Sequence, residues 1–110
     1  MINNSLKQLS QMLAKKTISS VEMTQTFLSR IHQYNPSINA YIALDEAKTL
    51  AQAKAADARI AAGNAEPLTG IPIAQKDIFC ANGWQTTCGS KMLANFIAPY
   101  YVHVVSMIEA

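Results

Sequence analysis

The chain has 110 residues, half of them apolar, with nine Lys or Arg against seven Asp or Glu for a formal charge of +2. That length holds at most one domain with a modest core, and a charge so small and evenly spread offers neither a basic groove for nucleic acid nor a polybasic patch for a membrane surface. The apolar runs fall far short of a bilayer span and no apolar signal segment opens the chain, so the two cysteines, Cys80 and Cys88, fit a cytoplasm that keeps thiols reduced.

The first half reads as helical. Asn3 or Asn4 is expected as N-cap of a first helix that carries Leu6, Leu9 and Leu13 on one face, with Lys15 and Lys16 near its C-terminal end. Ser19-Ser20-Val21-Glu22 has the form of a capping box and opens a second helix, with Met23, Phe27, Ile31 and Tyr34 as its apolar stripe. Asn35-Pro36 is expected to stop it, because a residue before proline is pushed out of the helical region. Ala40 to Leu44 suggests a short strand, after which Asp45 caps a third helix that Gly63 ends. In that helix Leu44, Ala47, Ala51, Ala55, Ala58 and Ala62 recur at helical spacing, a stripe of small residues read as a packing face.

Beyond the composition hinge Gly63-Asn64-Ala65-Glu66-Pro67 the character changes. Ile71 to Ile78, bounded by Gly70 and Asn82-Gly83, has strand propensity, and alternation puts Pro72, Ala74 and Lys76 on one face with Ile71, Ile73 and Gln75 on the other. A lysine on a buried strand among small groups can act as a base, since removal from water disfavours its charged form. Thr86 to Ser90 reads as a tight loop, Lys91 to Phe96 as a short helical turn, and Val102 to Ala110 as the start of a helix that the chain end interrupts, the mark of a fragment.

Leu68-Thr69-Gly70-Ile71-Pro72-Ile73-Ala74-Gln75-Lys76-Asp77 resembles the first block of the amidase signature family. The continuation through Ile78-Phe79-Cys80, Gly83-Trp84, Thr86 to Leu93 and Asn95 to Tyr100 is similar to one branch of it, the glutaminase subunits of glutamyl-tRNA(Gln) amidotransferases, as is the helical half including Asn39-Ala40-Tyr41-Ile42. The resemblance implies an α/β class protein: the N-terminal portion of an α/β/α amidase fold, with a helical layer in residues 1–62 and, in residues 63–110, the lysine-bearing strand, a loop and the start of the next helix. It also implies that Lys76 is the lysine of a Ser-cisSer-Lys triad, activating a bridging serine that activates the nucleophile. The implied reaction is glutamine hydrolysis, with ammonia passed to a partner protein for amidation of Glu-tRNA(Gln) in translation.

By the same resemblance the partners are subunits B and C of a heterotrimer. ATP and magnesium are used through the first of these partners, tRNA is touched only indirectly, and this chain holds no cofactor or metal. Both family serines and the glycine-rich oxyanion segment lie downstream of Lys76 beyond Ala110, so the chain alone is expected to be inactive. From Tyr101 onward, Tyr101-Val102-His103-Val104-Val105-Ser106 departs from the family's pattern. The rival readings are a non-catalytic module that binds partner subunits and a fragment of an amidase with another amide substrate.

Stripped of its flanking motif, Lys76 would read as a strand-end lysine that snorkels to solvent or pairs with Asp77. Asp77 itself reads as an acceptor for nearby backbone N–H groups, because neighbours on a strand point to opposite faces. Ser90 lacks the spacing of a Ser-x-x-Lys or Gly-x-Ser-x-Gly nucleophile and reads as a loop cap. Cys80 and Cys88, eight apart with no nearby His, read as buried structural thiols. His32 falls on the polar side of the second helix, His103 stands apart from any acidic cluster, and Trp84 reads as a lid over apolar surface.

Overall fold

A computed structural model describes all residues from Met1 to Ala110. It contains α1 (Leu6–Ala14), α2 (Ser20–Ile38), α3 (Glu46–Ala61), a 3-10 turn at Lys91–Leu93 and α4 (His103–Glu109). The chain divides into two compact units, Met1–Ile73 and Ala74–Ala110. No helix is long and apolar enough to cross a membrane.

In the first unit the helix ends are set by side chains close in sequence. Ser5, rather than Asn3 or Asn4, caps α1: its hydroxyl accepts from Gln8 N–H at 3.3 Å while Gln8 Oε1 accepts from Ser5 N–H at 2.7 Å. The Ser-x-x-Gln pair outcompetes the asparagines because it satisfies two orphan donors reciprocally, and the Asn4 side chain donates to Met12 Sδ at 3.2 Å instead. Helix α1 closes with Lys16 at φ 56, its N–H on Leu13 O and the Thr17 N–H on Met12 O, the paired bonds of a Schellman motif. The same motif ends α3, with Gly63 at φ 80, Gly63 N–H on Ile60 O and Asn64 N–H on Arg59 O. Asp45 caps α3 through Lys48 N–H at 2.9 Å.

The expected stop at Asn35-Pro36 does not hold, since α2 includes Pro36 and runs on to Ile38 before Asn39 turns left-handed at φ 49. Proline in a last turn loses one hydrogen bond without unwinding the residues after it. Nor is Ala40 to Leu44 a strand. Asn35 explains the difference: its Oδ1 accepts from Tyr41 N–H at 2.9 Å and its Nδ2 donates to Tyr41 O at 3.2 Å, so one side-chain amide satisfies the backbone groups a strand neighbour would have paired.

The core of this unit is Leu9, Leu13, Met23 and Ile71, with Met1, Met12, Ile18, Phe27 and Ile60 packed against it. Leu6, the third member of the expected α1 stripe, is 60% exposed. On α3 the expected packing face is reversed. Ala47, Ala51, Ala55, Ala58 and Ala62 are exposed, whereas Ala53 is buried and Leu50, Ala56, Asp57 and Ile60 are partly covered. Larger apolar side chains remove more surface from water than alanines do, and they rotate the helix so that Leu50 and Ile60 are partly covered.

The start of α2 is satisfied entirely by side chains. Glu22 accepts from Ser19 N–H at 2.9 Å, Asp57 of α3 accepts from Ser20 and Val21 N–H at 2.7 and 3.2 Å, and Ser19 Oγ accepts from Glu22 N–H at 3.1 Å. Two caps, one local and one from another helix, therefore cover the first four donors. The buried Ser20 hydroxyl donates to Gly70 O at 2.7 Å. Gly70 sits at φ 86 with Ser20 and Ile60 atoms 3.2 to 3.3 Å from where a Cβ would be, so both conformation and space require glycine.

The second unit is organised by turns. A short antiparallel contact pairs Gln85 with Ile97. It is flanked by Gly83 N–H on Ala98 O at 2.8 Å, Ala98 N–H on Trp84 O at 3.0 Å and Thr86 N–H on Phe96 O at 3.1 Å. Ala81, Thr86, Thr87, Ala98 and Val105 are its buried residues. The strand expected over Ile71 to Ile78 is not formed: no strand appears in the structure, and the bonds around this stretch are turn bonds, Ile71 N–H to Leu68 O and Phe79 N–H to Lys76 O. Strand propensity acts only where a neighbour supplies the ladder, so of the expected α/β architecture the helical part is present and the sheet is not.

Candidate functional site

Lys76 lies in the second unit at the first position of the turn Lys76–Phe79, and its side chain is exposed rather than buried among small groups. The expectation of burial rested on the strand, and it falls with it. Ile73, Ala74 and Gln75 are exposed as well, so the face alternation read from the sequence is absent.

Asp77, next in the chain, is where the local structure concentrates. Its carboxylate accepts from Thr87 N–H at 2.8 Å, from the Thr87 hydroxyl and from Gly89 N–H at 3.4 Å, while its backbone oxygen accepts from Cys88 N–H at 2.8 Å. The Thr87 hydroxyl and then the Thr87 N–H hold this carboxyl below its ordinary value of 3.8 against the opposing effect of burial, with the Gly89 N–H as the least contributor. Asp77 is thus the backbone acceptor its position suggested. Its partners form a turn in which Ser90 N–H reaches Thr87 O at 2.8 Å with Cys88 and Gly89 both at positive φ, 51 and 69, the signature of a type I′ turn.

The other residues weighed as candidates have the structural places expected of most of them. Ser90 caps the 3-10 turn, accepting from Met92 N–H at 3.3 Å. Cys80 and Cys88 are free thiols, but neither is buried as expected, the first being half-buried and the second, at the tip of the turn, exposed. His32 contacts Glu46 through Nε2, tying α2 to α3. Trp84 is half-buried. An open concavity of about 350 Å³ in the first unit is lined by Lys16, Ser19, Glu22, Asp57 and neighbouring apolar groups, and Ser19, Glu22 and Asp57 are spent there on capping α2. The fastening of Asp77 to Thr87 and Gly89 is not visible in the sequence motifs; the pair Cys88-Gly89, with glycine after a residue that must also turn left-handed, is its one trace there.

Residues 22–110 match the amidase family model. Over all 110 residues the chain is 66% identical to the A subunit of the glutamyl-tRNA(Gln) amidotransferase of Methylobacillus flagellatus, 62% identical to that of Nitrosospira multiformis and 54% to that of Chromobacterium violaceum. It spans 22% of the length of the first and 23% of the other two. The match continues through residue 110, past Tyr101, where the resemblance was expected to lapse.

Proposed function

Because the chain belongs to the amidase family, we propose that it forms the lysine-bearing N-terminal part of an amidotransferase glutaminase subunit, with Lys76 as the base of its triad. The observation that carries this is the similarity along the whole chain to proteins of that name, with Lys76 inside the Gly70-Ile71-Pro72-Ile73-Ala74-Gln75-Lys76-Asp77 block. In this reading Lys76 takes a proton from a bridging serine, which in turn takes one from the nucleophilic serine as it attacks the glutamine side-chain amide. Ammonia leaves, and water then releases glutamate. Both serines and the oxyanion-binding backbone come from the remaining portion of the glutaminase, so the 110-residue chain alone does not hydrolyse glutamine.

Subunits B and C complete the complex. The former uses ATP and magnesium to activate Glu-tRNA(Gln), and this chain meets tRNA only through it. The exposure of Lys76 fits this division, since the groups that would enclose the amine belong to polypeptide beyond these residues.

The test is a glutaminase assay on this chain alone, on the chain co-expressed with the part of the M. flagellatus protein that lies past its matched segment, and on the same pair carrying Lys76→Ala. Activity is expected only in the wild-type pair. An active Lys76→Ala pair, or no activity from any soluble, folded pair, overturns the reading.

A further inference from the structure

We propose that Asp77 is the positioning residue for Lys76: it fixes the backbone that presents the amine by clamping it to the Thr87–Ser90 turn. The inference rests on the reading of Lys76 as the triad base. Residue 77 is held from both its side chain and its main chain. Its carboxylate takes Thr87 N–H, the Thr87 hydroxyl and Gly89 N–H, and its carbonyl takes Cys88 N–H.

All of these donors come from one short segment, Thr87 to Gly89. That segment is stiffened in turn, because Thr87 is buried, its hydroxyl also accepts from Gly89 N–H at 3.2 Å, and Cys88 and Gly89 are locked in left-handed conformations by the Ser90 N–H bond to Thr87 O. One residue earlier, the Lys76 carbonyl accepts from Phe79 N–H at 3.1 Å. The two peptide units that follow Lys76, Lys76–Asp77 and Asp77–Ile78, are therefore tied down, although no strand neighbour is present to do so. A long, exposed side chain such as lysine has many rotamers, and its placement is only as good as that of the backbone that bears it. Hydrogen bonds to an ionised carboxylate are the strong kind, suited to this task. Asp77 touches no reacting atom in this scheme; it acts through the residue beside it.

The experiment uses the co-expressed pair described above, with Asp77→Asn, Thr87→Val and Thr87→Ser, measuring kcat and KM for glutamine together with the thermal transition of each pair. Asp77→Asn is expected to lower kcat about a hundredfold with KM unchanged, at a temperature where the pair is fully folded, because a displacement on the order of 1 Å at a reacting group costs about that much. Thr87→Val should give a smaller loss of the same kind, and Thr87→Ser, which keeps the hydroxyl, should restore the wild-type rate. If Asp77→Asn loses activity only in proportion to its unfolded fraction, or keeps kcat within about twofold of wild type, the positioning role is wrong while Lys76→Ala inactivity leaves the proposed function standing. A wild-type pair without glutaminase activity removes both.

Discussion

The two units of this chain are ordered by different forces. In Met1–Ile73, helices with reciprocal caps place Leu9, Leu13, Met23 and Ile71 into one apolar cluster, and the fastening at Asp57 and Ser20 closes around it. In Ala74–Ala110 the buried set is small and made of small or polar side chains, Thr86 and Thr87 beside Ala81, Ala98 and Val105, and order comes from turn bonds and the Asp77 carboxylate. Many large apolar side chains of the second unit remain exposed, Phe79, Met92, Phe96, Ile97, Tyr100 and Met107 among them. A segment that has a core of its own is stabilised by burial. One that lacks it depends on polar fastenings, each modest and sensitive to pH or to a single atom.

If that contrast is right, the largest effect should come from the fully buried Met23. Met23→Ala should cost about 2–5 kcal/mol, read as a lowered denaturation midpoint of the helical circular dichroism signal; a cost below about 1 kcal/mol would mean the cluster is not the core. Gly70→Ala comes next, at about 1–2 kcal/mol, from the positive φ alone and more if Ser20 and Ile60 cannot yield. Asp57→Ala exposes two N–H groups at the start of α2 and should cost about 1–2 kcal/mol. In both cases the same denaturation curve is the readout.

Acid should separate the units. Since the folded Asp77 carboxyl titrates below its ordinary value of 3.8, its contribution is complete above that unfolded value and is lost as pH falls through the lower, folded one. Amide protection at Thr87, Cys88 and Gly89 should therefore fall as the pH drops below the ordinary carboxylate range, while that of Leu13 and Met23 in the core changes less. Glu22 is lowered in the same direction by the Ser19 backbone and side-chain bonds, so the first turn of α2 should loosen over a similar range. Equal loss of protection across both units would refute the contrast. The smallest effect is a gain: Lys16→Gly relieves a left-handed lysine at the end of α1 and should raise stability by about 0.5–1 kcal/mol.

The elements legible in advance were those whose signals lie within one turn. The Ser19-Glu22 box, the Asp45 cap and the Gly63 stop all appear where the residues placed them. Ser5-Gln8 is a box of the same kind and equally local, but the neighbouring asparagines compete with it as caps and mask it. The amidase block around Lys76 was also legible, and family membership follows from the match over residues 22–110. What the block could not convey was the setting of the lysine, because propensity over Ile71 to Ile78 describes a residue that would suit a strand and says nothing of a partner.

Local chemistry in the chain was therefore enough to specify helix ends, since a cap and its donor are three residues apart and meet whatever else the fold does. Distance in sequence marks where that sufficiency stops. Asp57 reaches α2 across 36 residues, Ser20 reaches Gly70 across 50, and Asp77 reaches Thr87 across ten. The alanine face of α3 turned outward because neighbouring elements covered Leu50 and Ile60 instead. Such pairings, and the choice between strand and turn around Lys76, depend on which groups the folded chain brings within hydrogen-bonding or van der Waals range, and no single turn of the chain contains both partners.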